Sequence, residues 1–276
     1  MCSRLASTSA LVLLWEEGSI HSSPLSTNYR KLLNLGSAKD LYSICNKICP
    51  YYSEVIKNRK HSVLELVFLW MKENKSSQII ILGSGMDSLS LEIYSKNSNV
   101  KIFEIDFNTE PKKTIFESLD KNLFQYIFFI SADLKNSKNL FGLLKNSGWN
   151  PNIPSIVILE GISYYLNKPV LKNLLKIFST KEKQNNIILE YLVSVDCIAK
   201  KQASISEKVF SLISKHIGFT KITRYDKNQI RTLFEKLNGE ILTQINMKKM
   251  EEKRTKKNIF FKQEKSGWIE ICYGSI

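Results

Sequence analysis

The tightest constraint on the fold is a change of texture at Gln78. From there, short runs of apolar residues alternate with amphipathic segments of helix length. The runs are Ile79–Leu82, Val100–Ile105, Tyr126–Ile130, Ser155–Leu159 and Ile187–Leu192. A strand that is apolar on both faces must be covered on both faces, and alternation with helices makes the sheet parallel. Two later runs, Gly239–Ile245 and Gly267–Tyr273, suit an antiparallel finish. The pattern predicts an α/β chain with a mostly parallel, seven-stranded sheet and helices on both faces. Ahead of it, Leu41, Ile44, Cys45 and Ile48, then Val63, Leu64, Val67, Phe68 and Met71, recur at helical spacing. We read one domain, with a helical cap over 1–76 and an α/β core over 77–276.

Several function classes fall away early. The charge balance is 40 basic against 26 acidic residues, or +14, which suits nucleic acid, an acidic surface or an anionic ligand. Only six of the 40 are arginine, the residue that planar recognition of bases and phosphates favours, so nucleic acid is disfavoured. The densest basic stretch, Lys248–Lys265, also carries Glu251, Glu252 and Glu264 and reads as a solvated helix face. Cys45 and Cys49 would share a helix face, but no second half of a zinc site accompanies them. They read as reduced structural thiols, and no metal is expected. No uncharged run approaches the ~18 residues of a membrane span. Ala10–Trp15 is too short for a signal sequence and runs into Glu16 and Glu17. A cytoplasmic monomer or homodimer with no membrane partner is expected.

The first strand ends in Leu82-Gly83-Ser84-Gly85-Met86-Asp87-Ser88, and a helix is predicted next. Glycines there let the backbone turn tightly and approach a ligand. Asp106 closes the second strand 23 residues after Gly83, where an acid can hold both ribose hydroxyls of an adenosine. A dinucleotide loop would place a third glycine at position 88, which is serine here. Asp87 would also repel a phosphate. S-adenosylmethionine (SAM) has no phosphate and carries an amino-acid tail of both charges, so it is the cofactor these residues suit.

These residues resemble the leucine carboxyl methyltransferase family of class I SAM-dependent methyltransferases. Gln78–Ser88 is similar to its glycine loop, and Phe103-Glu104-Ile105-Asp106-Phe107 to its second-strand motif, with Lys112 or Lys113 near its downstream lysine. Ser131-Ala132-Asp133-Leu134 resembles its Asp-Leu after the third strand. Leu159–Leu166 resembles its Glu-Gly-x-x-x-Tyr-Leu segment after the fourth. The cap is similar more loosely, and the last third least. Two positions depart: the loop's usual Asp-Thr is Asp87-Ser88, and an arginine common in bacterial relatives is missing, with Leu89 and Ser90 in that stretch.

The resemblance implies a Rossmann-like fold and a set of cofactor contacts. Gly83, Ser84 and Gly85 would let SAM approach the backbone, with Asp87 near its amino-acid tail. Asp106 would take the ribose, with Glu104 the alternative if the strand ends earlier. Asp133 and Leu134 would bind the adenine, although Asp133 also reads as a helix N-cap. Glu160 would lie beside the methionine moiety, and Arg59 would meet the SAM carboxylate. Of Tyr164 and Tyr165, one is expected to line the substrate pocket while the other packs inward.

The sulfonium of SAM is already activated, so an enzyme of this kind mainly aligns a nucleophile with the methyl group. A carboxylate needs no general base at neutral pH, which agrees with three scattered histidines, His21, His61 and His216, and no obvious catalytic pair. The expected activity is O-methylation of a carboxylate on a small molecule or peptide in specialised metabolism, with no catalytic residue assigned. The rival readings are a methyltransferase for a protein C-terminal carboxylate, a nucleic-acid methyltransferase, and a SAM-fold scaffold without activity.

Overall fold

The computed structural model describes residues 2–74, 78–219 and 221–276, with side chains described from Thr8 onward. The cap comprises α1 (Cys2–Glu16), α2 (Pro24–Lys31), α3 (Lys39–Ile48) and α4 (Tyr52–Glu73). There follow β1 (Gln78–Leu82), α5 (Leu89–Lys96), β2 (Lys101–Asp106), α6 (Glu110–Leu119), β3 (Ile127–Ser131), α7 (Leu140–Asn146), β4 (Ser155–Leu159) and α8 (Lys168–Lys176). The chain ends with β5 (Asn186–Leu192), α9 (Lys200–Ile217), α10 (Lys227–Glu235), β6 (Glu240–Asn246), α11 (Met247–Thr255) and β7 (Ile269–Ser275). Among the described residues no helix is long and apolar enough to cross a membrane.

The strands form one sheet in the order β3-β2-β1-β4-β5-β7-β6. The first five are parallel, and β7 runs antiparallel to both β5 and β6. The order reverses between β1 and β4, which opens a crevice beyond their carboxyl ends, where ligands of open α/β sheets bind. Every residue of β1 and β4 is buried, as runs apolar on both faces require. Strand ends differ from the sequence reading by one or two residues. β2 reaches Asp106 because Asp106 still pairs with Ser131. β7 starts at Ile269, opposite Leu192, two residues after Gly267.

Local chemistry sets the helix ends around the site. Ser23 caps α2 by accepting from the Ser26 N–H, with Pro24 at the first helical position. Asp226 and Gln229 close a capping box on α10. α9 stops at Gly218, whose φ of 73° is left-handed. The cap is fastened to the sheet through tilted, packed rings: the Tyr52 ring centre lies 4.2 Å from that of Trp15 and 5.8 Å from that of Trp268. Cys45 and Cys49 are buried and free, and burial pushes their thiols up to about 11 and about 12, as structural cysteines require. The basic stretch after Asn246 is only partly a solvated face. Buried Glu251 accepts from the Phe260 and Phe261 N–H groups, and Arg254 reaches from α11 to Asn58 and Glu54 of α4.

Candidate active site

The glycine turn is held by its own backbone. Gly83 and Ser84 donate to the Ile105 carbonyl at 2.8 and 3.1 Å, and the Gly85 N–H donates to Asp106 Oδ2 at 2.8 Å. Gly83 (φ 74°) and Gly85 (φ 50°) are left-handed, which side chains resist. A side chain would also make its neighbours shift, Ile162 at Gly83 and the rotatable Ser9 hydroxyl at Gly85. A Cβ on Gly83 would lie 2.9 Å from Ile162, and one on Gly85 would lie 2.4 Å from Ser9 Oγ. Asp106 stands at the sheet edge with one protein donor on each oxygen, Phe107 N–H filling the other at 2.8 Å. A carboxylate has about four acceptor sites, so it retains capacity for two hydroxyls.

Beside the turn lies a cleft of about 630 Å³, mouth included, lined by Ser9, Arg59, Gly83 to Gly85, Asp87, Glu160, Tyr164 and Tyr165 among others. Its wall is a buried ionic network. Arg59 Nε lies 2.9 Å from Glu160 Oε1 and 3.6 Å from Glu190 Oε2. Lys60, fully buried, lies 3.2 Å from Glu160 Oε1 and also bonds Asp87. Burial by itself would weaken both cations, but Glu190 and Glu160 hold Arg59 protonated, and Asp87 and Glu160 do the same for Lys60. Burial likewise opposes ionisation of Asp87, yet Lys60 and His21 outweigh it and hold the carboxyl well below its usual range. Glu190 goes the other way. Burial pushes it up to about 6 against the pull of Arg59, although the Gly161 N–H donates to it at 2.5 Å.

Most of the expected site residues come together here. Arg59 is no surface arginine: it is buried and faces the cleft with Glu160, Asp87, Ser84 and both glycines. Tyr164 and Tyr165 both line the cleft, so the expected split between a pocket tyrosine and an inward one does not hold. The short helical turn Ser163–Tyr165 carries both rings, Tyr164 buried and Tyr165 partly so.

Glu104 is a correction. It is fully buried inside the sheet, 2.5 Å from Lys112 Nζ and bonded to Ser90 Oγ, and does not face a ribose site. The strand runs on to Asp106, which alone of the two reaches the edge. Asp133 caps no helix: its Oδ1 accepts from Lys135 N–H at 2.9 Å within a turn, and the next short helix starts at Ser137. Asp133 is exposed and Leu134 buried, neighbours of Asp106 through the Ala132 N–H bond to the Asp106 carbonyl at 2.8 Å.

The sequence reading missed three participants. Lys60 follows Arg59 directly, and Glu190 is the one charge in an apolar strand run, a signal open to inspection. His21 is not isolated: its Nδ1 lies 3.1 Å from Asp87 Oδ1 and 3.3 Å from Ser88 Oγ. Nothing local announces that pair, which joins the cap to the glycine turn.

The residues fit SAM. Buried Ser84 Oγ has no hydrogen-bond partner among the described residues, the left-handed glycines keep the cradle free of side chains, and the wall offers a cation for a carboxylate beside acids for an ammonium. Fold, turn and charged wall together are those of a class I SAM-dependent methyltransferase. The model of the leucine carboxyl methyltransferase family matches residues 50–179, a little under half of the chain. Two solved structures share the fold. A methyltransferase candidate from Thermobifida fusca superposes with a TM-score of 0.68 at 13% identity, covering 88% of this chain and 89% of that one. A DUF574 family protein from Streptomyces avermitilis gives 0.66 at 10% identity, covering 87% and 90%. The ribosomal RNA small subunit methyltransferase A of Lactococcus lactis is 27% identical over 118 residues, 42% of this chain. The match spans only 37% of that relative's length.

Proposed function

We propose that the chain transfers the methyl group of SAM to a carboxylate oxygen of a small-molecule or peptide metabolite, giving a methyl ester in specialised metabolism. One observation carries this reading: the titratable groups described along the cleft are all committed or poorly basic. Asp87 and Glu160 are locked in ion pairs, and Arg59 is held protonated. Burial, followed by Glu190, raises both tyrosine phenols above their ordinary range, so neither forms a phenolate at neutral pH. His21 forms a pair with Asp87 but does not line the cleft, so it presents no base to an acceptor. A carboxylate is ionised already and needs none.

Bound SAM would supply a methyl group on a sulfonium. In this reading Arg59 binds the SAM carboxylate, Asp106 the ribose hydroxyls, and Asp87 and Glu160 favour the cationic tail. Lys60 keeps those two acids in place, and the buried wall excludes water. Asp133 and Leu134 are assigned to the adenine from their place beside Asp106.

The test uses methyl-labelled SAM with a panel of aromatic and aliphatic carboxylic acids. Label should enter a product that releases methanol in mild alkali, with turnover nearly flat from pH 7 to 9. A base-stable methyl group would overturn the carboxylate assignment.

A second reading, nucleic-acid methylation, draws on the charge of +14 and the Lactococcus lactis match. RNA binding that is sequence-selective and persists at high salt would favour it, since purely electrostatic binding falls steeply with salt.

A further inference from the structure

A second cleft adjoins the first and is unused by the reading above. Glu207, Phe210, Ser211, Ser214, Phe219 and Arg224 surround about 750 Å³ of space, mouth included, along α9 and the segment after it. Four rings form the partition between the clefts. Tyr164 meets Phe210 edge to face at 5.3 Å, Tyr165 meets Phe219 at 5.1 Å, and the tyrosines meet each other at 4.8 Å. The tyrosines line the first cleft and the phenylalanines the second. The backbone ties the two sides together, with Thr223 N–H donating to the Tyr164 carbonyl at 2.9 Å.

The lining has a definite chemistry. Phe210, Phe219 and Ile222 form an apolar floor. Cations stand over it: Lys135 lies 4.4 Å from the Phe219 ring centre and Arg224 lies 6.0 Å from that of Phe210, with Lys215 exposed on the rim. Glu207 is the only acid on this lining. The Arg224 guanidinium is fixed in place, donating to the Val193 carbonyl at 3.0 Å and to Ser206 Oγ at 2.9 Å. Ser214 Oγ is buried on this lining and has no hydrogen-bond partner. An unmet hydroxyl of that kind costs stability until something bonds it.

We propose that the second cleft seats the body of the methyl acceptor, an aromatic or apolar group bearing an anionic substituent. The proposal rests on the methyl-transfer reading, because the reacting carboxylate must reach past the edge of these rings to a methyl group in the first cleft. Flat apolar groups gain most from ring contacts, and on the lining Lys215 and Arg224 outnumber Glu207, with Lys135 close by over Phe219, so negative charge is favoured.

The probe is 8-anilinonaphthalene-1-sulfonate, an aromatic anion that fluoresces when bound to apolar surface, titrated in saturating S-adenosylhomocysteine. Binding should persist with the cofactor cleft filled. Ser211→Trp fills the cleft from an exposed position and should weaken the probe ~10-fold or more, the scale of lost ring contacts and area. Arg224→Met should weaken it several-fold, and thermal unfolding of Ser211→Trp should match wild type. Displacement of the probe by S-adenosylhomocysteine, or wild-type affinity in both variants, overturns the proposal. Calorimetry on the same samples separates the two ideas: if S-adenosylhomocysteine does not bind while the probe does, the methyl-transfer reading is what fails.

Discussion

The glycine-turn side of the molecule and the α9 side solve binding in different ways. The first, between β1 and β4, is made from backbone: left-handed glycines, strand-end carbonyls, and an acid bonded to two N–H groups. The second is made from side chains of α9 and the segment after it, Phe210 and Phe219 with Lys215 and Arg224 beside them. Backbone-built sites tolerate little change of residue type. Sites built from rings can be reshaped while the fold persists, which suits a fixed cofactor on one side and a variable acceptor on the other.

The largest expected effect falls on the charged wall of the first cleft. Arg59→Ala leaves buried Glu190 without its ion-pair partner and Glu160 with Lys60 alone, and breaking such a pair typically costs about 3–5 kcal/mol. Urea unfolding should show that loss, and a change below about 1 kcal/mol would mean the wall is more hydrated than its burial indicates.

Next comes Asp106→Ala, which should weaken SAM binding in calorimetry by ~1.5–3 kcal/mol, the scale of charge-assisted hydrogen bonds. Probe binding in the second cleft should not move. If both change together, the two sides are not the separate devices described.

A third prediction uses pH. Glu190 is held at about 6 in the folded chain, above its ordinary 4.5. A raised folded value means that its contribution is fully present below the unfolded value and is lost as pH rises through about 6. The loss should total about 2 kcal/mol, and Glu190→Gln should lack it. Unfolding of both proteins at pH 4.5 and pH 7.5 isolates the difference; identical slopes would place Glu190 in water.

The smallest effect is expected at His21. It sits behind Asp87, away from the acceptor, so His21→Asn should retain turnover within ~10-fold of wild type, whereas loss of a general base typically costs ~100-fold or more. A larger fall, with a base-stable product, would move the chemistry to a hydroxyl.

What the chain's residues determined unaided is mostly local. The strand runs, Gly83, Gly85 and the acid closing β2 could be read because backbone conformation and burial periodicity depend on residues a few positions apart. The residues put Asp106 first but left Glu104 open as the alternative. Two acids two residues apart look alike until the sheet edge decides which is buried against Lys112 and which meets the loop. The joining of His21 to Asp87, of Lys60 to Asp87 and Glu160, and of Tyr165 to Phe219 could not be read. Those contacts depend on through-space distances of a few ångströms between segments far apart in the chain, and only packing the cap and α9 against the sheet sets them.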